Sequence, residues 1–263
     1  MKSLVGATVL LAAVLVGLAG CGGGKRAAKG GGDALAEDAG YLIPPSVNRV
    51  QLTAGGVTLS GLGPQGGRVR LASPAGQAVL ADVDDKGRWS LGLGAIPEPR
   101  IYGLSATVAG RSAQAEGYLM VTPQGQAALL RAGAGARRID GLAKPGLRAI
   151  DFDRGGGLEV SAAAPAGSNV LLHFDGRLIA QGRADATGHY DASVPGPGST
   201  SVIRPGSHQV QASGDGFSDA VVFQVSPPAP LAQGPLRSQL TQAGLRVDWM
   251  TPGGGVQSTI LVH

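Results

Sequence analysis

Apolar and polar residues alternate over short stretches through most of the chain. Val69 and Leu71 alternate with outward residues, and so do Val170, Leu172 and Phe174. A period of two places one set of side chains in a core and the other at the surface, which is the pattern of a half-buried β-strand. Glycine and proline separate these stretches and predict turns between them. The pattern therefore predicts an all-β protein built from short strands.

The strand pattern occurs twice. Residues 57–71 align with residues 158–172, and the register continues without a gap to residues 84–89 and 185–190. Each copy contains a Pro-x-Gly turn before one strand and an Asp-x-x-Gly-x-Trp/Tyr turn before a later strand. The aspartate of such a turn can accept hydrogen bonds from the turn backbone, and the aromatic side chain is expected in the core. The chain thus contains an internal repeat of one β-rich unit.

Together, the Pro-x-Gly-x-x-Val turn, the hairpin that follows it and the Asp-x-x-Gly-x-Trp/Tyr turn resemble the bacterial immunoglobulin-like domains of cell-envelope and surface proteins. The resemblance implies two tandem β-sandwiches, at residues 41–121 and 147–226. Residues 122–146 are then expected to be a linker. The resemblance also implies a structural or interaction role rather than catalysis.

A C-terminal extension, residues 227–263, carries a further copy of the opening of the second domain. The segment from Gly244 to Gly255 resembles the segment from Gly146 and predicts a β-hairpin. This hairpin either completes the second sandwich or offers a strand to a partner by β-augmentation. We expect Trp249 and Met250 in this hairpin to be exposed and to contact a partner; the alternative is that Trp249 packs back onto the second domain.

The N-terminal residues have the pattern of an export signal. Lys2 precedes an apolar run, residues 4–18, which is too short to span a bilayer comfortably and has the length of a signal sequence. The run ends in Leu18-Ala19-Gly20-Cys21 and resembles a bacterial lipoprotein signal with its lipobox. The resemblance implies cleavage of residues 1–20 and attachment of diacylglycerol and an N-acyl chain to Cys21. The alternative is an ordinary cleaved signal with an incidental cysteine.

Residues 21–40 are rich in glycine and predict a flexible tether. A Gly-rich coil of this length has an r.m.s. span of roughly 25 Å. In lipoproteins of enteric bacteria, an aspartate after the lipidated cysteine retains the protein at the inner membrane. Gly22 therefore favours the outer membrane if the organism has two membranes.

The composition argues against several classes of function. Cys21 is the single cysteine, so the folded part has no disulfide framework, and the net charge is only +4. The basic residues form no stripe with interleaved aromatics, which argues against a nucleic-acid partner. The sequence has no Gly-x-Ser-x-Gly elbow and no metal-ligand spacing. We therefore predict no enzymatic activity, no catalytic residue, no metal site and no cofactor apart from the covalent lipid on Cys21.

These observations favour a cell-envelope lipoprotein that is lipid-anchored to a membrane and acts as a structural or protein-interaction module. The expected partners are membrane lipid, through Cys21, and an envelope protein. The alternative is a surface lipoprotein that binds polysaccharide or peptidoglycan. That function requires exposed aromatic side chains, for which Tyr41, Tyr118 and Trp249 are the candidates.

Overall fold

The computed structural model describes residues 40–141, 144–194 and 203–263. Within these ranges the chain forms nineteen strands and no helix, so the all-β prediction is confirmed. The predicted signal, Cys21 and the tether up to residue 39 lie outside the described residues. In the described part of the chain, the structure has no helix with the length and apolarity that a membrane span requires.

The first nine strands lie between residues 46 and 138. They are β1 (Ser46–Thr53), β2 (Gly56–Leu62), β3 (Arg68–Ala72), β4 (Ala78–Asp82), β5 (Arg88–Gly94), β6 (Arg100–Val108), β7 (Arg111–Val121), β8 (Ala127–Leu130) and β9 (Arg137–Arg138). Strands β1–β7 form two antiparallel sheets that face each other. Sheet 1 has the order β1-β2-β5, and sheet 2 begins with the order β4-β3-β6-β7. This exchange of consecutive strands between two facing sheets is an immunoglobulin-like sandwich.

The remaining strands lie between residues 146 and 262. They are β10 (Gly146–Asp153), β11 (Leu158–Ala163), β12 (Asn169–Phe174), β13 (Arg177–Arg183), β14 (His189–Val194), β15 (Gly206–Gly214), β16 (Phe217–Val225), β17 (Leu236–Leu240), β18 (Gly244–Met250) and β19 (Val256–Val262). Strands β10–β16 repeat the order of β1–β7. Sheet 3 contains β14-β11-β10, and sheet 4 has the order β13-β12-β15-β16. The sequence repeat therefore corresponds to two sandwiches of the same topology.

The repeated Asp-x-x-Gly-x-aromatic turn has the predicted geometry. Asp84 Oδ1 accepts a hydrogen bond from the backbone N–H of Arg88 at 2.8 Å, and Asp185 Oδ1 accepts one from His189 at 3.0 Å. Trp89, at the end of the first turn, is buried in the core between sheets 1 and 2. The turn thus directs its aromatic side chain inward, as the repeat indicated.

The linker predicted for residues 122–146 is wrong, because this segment contains two strands. Strand β8 pairs with β7, and β9 pairs with β8, so both extend sheet 2. Ala127 faces the core of the first sandwich, whereas Ala128 and Leu130 face away from it and are also buried. A strand that is apolar on both faces needs cover on both sides. Sheet 2 is therefore an internal layer of the molecule.

The C-terminal hairpin completes the second sandwich. Strand β19 pairs with β10, and β18 and β17 follow, which gives sheet 3 the order β14-β11-β10-β19-β18-β17. Nearly every residue of β10 and β19 is buried, so sheet 3 is also covered on both faces. The sequence left open whether this hairpin completes the second sandwich or offers a strand to a partner. Its pairing with β10 shows that it completes the sandwich.

In the part of the chain that the structure describes, four sheets are stacked with three apolar cores between them. Leu59 and Leu104 are in the core between sheets 1 and 2, and Phe152 and Leu172 are in the core between sheets 3 and 4. The third core joins sheets 2 and 3; we call it the interlayer core. It consists of Ile101, Met120, Ala128, Leu130, Ala136, Ala149, Val247, Trp249 and Leu261. Residues 41–263 accordingly form one compact unit.

The hairpin depends on a glycine at its first position. Gly244 has a φ of +144°, and a Cβ there would lie 1.9 Å from the carbonyl oxygen of Leu261 in the paired strand. We expect Gly244→Ala to lower the free energy of unfolding by at least about 1–3 kcal/mol, the cost of an unfavourable backbone conformation alone. Gly253→Ala is the matched control in the same hairpin, since a Cβ there meets no atom within 4 Å. Urea denaturation of both variants measures the difference, and equal losses would contradict this prediction.

Candidate functional site

Trp249 is fully buried, so the exposure that we expected for a partner contact is wrong. Its relative exposure is 0%, and its ring meets Tyr118 edge-on with 6.2 Å between the centroids. Tyr118 belongs to sheet 2 and Trp249 to sheet 3. The indole N–H donates to Thr259 Oγ1 at 3.0 Å, which satisfies its one donor in the core. Trp249 therefore joins the two sandwiches to each other.

Met250, the second predicted contact residue, lies on the opposite side of β18 from Trp249. Its exposure is 43%, and its backbone N–H donates to Pro235 O at 2.9 Å. The backbone bond fixes the end of β18 and leaves the thioether partly in solvent. A contact between Met250 and a partner stays a prediction.

A buried carboxylate lies next to the interlayer core. Asp151 of β10 is 1% exposed and accepts hydrogen bonds from donors on both sandwiches. From the first sandwich, the backbone N–H of Ala136 donates to Oδ2 at 2.7 Å. From the second, Gln257 Nε2 donates to Oδ1 at 3.2 Å, and the Thr259 hydroxyl donates to the same oxygen. Asp151 thus fixes the position of the Ala136 loop on sheet 3.

Burial raises the pKa of Asp151 to about 6. Desolvation disfavours the charged form and is the largest effect, and the hydrogen bonds from Thr259, Ala136 and Gln257 oppose it. Glu159 on the neighbouring strand adds a like charge, which raises the pKa further. The interface between the sandwiches therefore contains a carboxyl group that changes charge near pH 6.

Arginines of the first sandwich bind acids of the second at one edge of this interface. Arg131 Nη2 lies 2.8 Å from Asp191 Oδ2 and also donates to the carbonyl of Ala134 at 2.9 Å. Arg137 of β9 lies 3.6 Å from the same Asp191 oxygen. Since Asp191 is in β14, the β9 edge of sheet 2 lies over the β14 edge of sheet 3. The opposite edges, β4 and β17, therefore also lie at a common side.

A second charged cluster, around Asp248, holds β17 against β18. Asp248 of β18 accepts hydrogen bonds from Ser258 Oγ at 2.7 Å and Arg246 Nε at 2.9 Å, and it pairs with Arg237 of β17. Burial raises the pKa of Asp248, but these hydrogen bonds outweigh burial and hold the pKa below its ordinary value. The charged carboxylate ties β17 to β18 at the middle of the edge strand.

The outer edge of β17 is unpaired in the described part of the chain. Met250 N–H donates to Pro235 O, and Thr241 N–H donates to Gly244 O, so every second residue from Pro235 to Thr241 directs its backbone toward β18. The residues between them direct their N–H and C=O groups outward; they are Leu236, Ser238 and Leu240. This row of backbone donors and acceptors is the pattern that an added strand requires.

A groove of about 790 Å³ lies along this edge. One wall is residues 231–238, the approach to β17 and its first half. The other wall comes from the first sandwich, at the turn around Pro74 and the segment from Glu98 to Ile101. Leu236 and Ile101 also pack in the interlayer core, so the groove is the open margin of that core. We take the β17 edge and this groove as the candidate functional site.

The aromatic residues proposed for polysaccharide binding are not assembled into a platform. Tyr41 is 76% exposed, but Tyr118 packs against Trp249, which is buried. In the described ranges, no group of three or more His, Cys, Asp or Glu residues is placed to hold a metal ion.

The edge strand was missed from the sequence, since β17 has no counterpart in the repeat. The available signal was the short run before Thr241, which has Leu236 at one end and Leu240 at the other. Its alternation is too brief to be distinguished from a loop without the strand that it pairs with.

No protein-family model matches this chain, and no curated protein matches it. Among solved structures, it is similar to the BSP domain of a biofilm associated protein, with 15% identity and a TM-score of 0.24. That match covers 70% of this chain, which spans 29% of that structure's chain. A second match is the central fibronectin-III array of RIM-binding protein, with 9% identity, a TM-score of 0.26 and coverage of 84% and 86% of the two chains. The fold assignment rests on the strand order described above.

The buried position of Trp249 gives a direct stability prediction. Trp249→Ala removes the largest side chain of the interlayer core, and we expect a loss of about 3–5 kcal/mol in the free energy of unfolding. Met250→Ala, one residue later and partly exposed, should cost less than about 1 kcal/mol. Chemical denaturation measures the free energy of unfolding of both variants. A small effect of Trp249→Ala would argue against the interlayer core as the contact that joins the two sandwiches.

Asp151 predicts a pH dependence of stability. Its pKa is raised in the folded protein, so its contribution is fully present below the unfolded value near 3.8 and is lost as the pH rises through about 6. Asp151→Asn cannot ionise. The stability of the parent relative to this variant should therefore fall by about 3 kcal/mol between about pH 4 and pH 7, at 1.36 kcal/mol per pKa unit. Urea denaturation across this range measures the difference, and a constant difference would refute the assignment.

Proposed function

We propose that this chain is a cell-envelope lipoprotein, anchored through lipid on Cys21, whose folded part is a non-enzymatic structural or protein-interaction module. The lipobox Leu18-Ala19-Gly20-Cys21 supports the anchor. The glycine after Cys21 favours the outer membrane in an organism with two membranes. Membrane lipid and an envelope protein are the proposed partners.

The free edge of β17 beside the groove carries the interaction part of this proposal. Natural sheets rarely leave an edge available without a charge, a proline or a covering segment on it. The residues with outward backbone groups, Leu236, Ser238 and Leu240, carry no charge, and Leu240 is 73% exposed. The charge in β17, on Arg237, is held by Asp248 of the same chain. An extended segment of another protein can hydrogen-bond to the three outward residues while its side chains enter the groove.

The fused stack supports a structural role. Because the interlayer core joins the two sandwiches, their loops and edges are held at fixed separations instead of moving on a linker. The tether predicted before the folded unit would provide reach, roughly 25 Å r.m.s., while the unit itself stays rigid. A binding surface presented in this way can search the space above a membrane without losing its shape.

Polysaccharide or peptidoglycan binding is the less favoured proposal. Of its three aromatic candidates only Tyr41 is well exposed, and a single ring offers one stacking site. Sedimentation of the purified protein with insoluble peptidoglycan examines this alternative directly.

Lipid anchoring is tested by Cys21→Ser in the full chain. This variant cannot form the thioether, so we expect the folded protein to leave the membrane fraction while the parent stays in it through a high-salt wash. Ser3→Ala is the matched control, because it changes the n-region without touching the lipobox and should leave fractionation unchanged. Mass spectrometry of the parent should show the added acyl chains, and a Cys21→Ser protein retained after washing would refute the anchor.

A further inference from the structure

We propose that the β17 edge pairs with the β17 edge of a second copy of this chain, antiparallel and about a two-fold axis at Ser238. The pairing would join the two six-stranded sheets 3 into one continuous sheet. This inference rests on the proposed function and deepens it, because it names the occupant of the edge.

The strand is complementary to itself in this register. Leu236, Ser238 and Leu240 carry the outward backbone groups, so an axis at Ser238 places Leu236 opposite Leu240 of the second copy, and Ser238 opposite Ser238 of the second copy. All three positions then form hydrogen-bonded pairs. The apolar residues at the two ends of the strand meet each other, which is the favourable cross-strand arrangement.

Charge also fits this register. Arg237 faces the other side of the sheet and is held by Asp248 of its own chain. Across the axis it meets Gln239 of the second copy rather than the second Arg237. Like charges directly opposite each other would destabilise an antiparallel pair, and this register avoids them.

The groove receives the exposed leucine. Leu236 and Leu240 lie four residues apart and project from the same face, which is the face that the first sandwich covers, since Leu236 packs against the interlayer core. The two-fold axis therefore brings Leu240 of the second copy next to Leu236, at the wall formed by Pro74, Pro99 and Ile101. The same contact forms on the other side of the axis, because a two-fold interface is isologous.

The apolar surface is continuous with an interface that already exists. Ile101 belongs to the interlayer core, Leu236 packs against this core, and both line the groove wall. Leu240 of the second copy would extend this core by one more apolar side chain, and it would lose the 73% exposure that it has in the single chain. The second copy thus closes the open margin of the core at the same time as it pairs the edge strand.

Ser238→Cys tests the axis. In a hydrogen-bonded antiparallel pair the facing Cα atoms are about 5.5 Å apart, which is within the range of a disulfide. Gln239→Cys is the matched control: in this register its two copies are offset by two residues, or roughly 8 Å, beyond that range. In membranes that contain the full chain, mild oxidation should convert most of the Ser238→Cys protein to a covalent dimer and leave the Gln239→Cys protein monomeric. Equal crosslinking of the two variants, or none of Ser238→Cys, would overturn the proposal.

A second pair of variants tests the backbone contact without an oxidant. Ser238→Pro removes the N–H at the axis, whereas Ser238→Ala keeps it and removes only the hydroxyl. In sedimentation velocity of the detergent-purified full chain, we expect the parent and Ser238→Ala to be dimeric. Ser238→Pro should dissociate at least about tenfold more readily, since both N–H···O bonds at the axis are lost and each leaves a carbonyl without its donor. A monomeric parent contradicts the proposal.

The outcomes separate this inference from the proposed function. Crosslinking of Ser238→Cys to a different envelope protein, with no homodimer, overturns the second copy as occupant while the edge remains an interaction surface. Retention of Cys21→Ser in membranes counts against the anchor alone, since sedimentation velocity measures the dimer on protein in detergent.

Discussion

Trp249 makes the contact on which the architecture depends, because it places an aromatic side chain of sheet 3 against Tyr118 of sheet 2. Sheet 2 buries one face inside the first sandwich, and sheet 3 buries one face inside the second. The other face of each sheet is also apolar and would be exposed if its sandwich stood alone. The interlayer core covers both faces at once. The carboxylate of Asp151 then fixes the relative position, since its donors come from both sandwiches. Apolar contact supplies the attraction, and the hydrogen bonds select one arrangement of the two sheets.

The same contact explains the extra strands. Strands β8 and β9 widen sheet 2, and β17–β19 widen sheet 3. Among the described residues, both internal layers therefore have six strands, whereas the two outer layers have three and four. An internal layer needs this width, because it must cover a neighbour on each side. The C-terminal hairpin is therefore part of the stack, and the edge strand β17 is where the widening stops.

The repeat predicted the two sandwiches well, since turns and alternation are local properties of the sequence. It did not predict that they are fused. The consecutive buried residues Leu119, Met120 and Val121 indicate a strand covered on both faces, but the surface that covers Met120 comes from a distant part of the chain, at Val247 and beyond. Trp249 was assigned to the surface for the same reason, because its partner lies in the other domain. The β17 edge was invisible to repeat analysis, since the repeat contains no strand equivalent to it.

The fused interface has an evolutionary consequence. A tandem sandwich that is closed on all sides can be exchanged between proteins as a single cassette. Here, recombination that moved one sandwich alone would uncover the apolar faces of both internal sheets. The sheet with Trp249 and the sheet with Met120 would then lie in different proteins, each without the surface that covers it. The shared core therefore favours duplication or transfer of the two domains together.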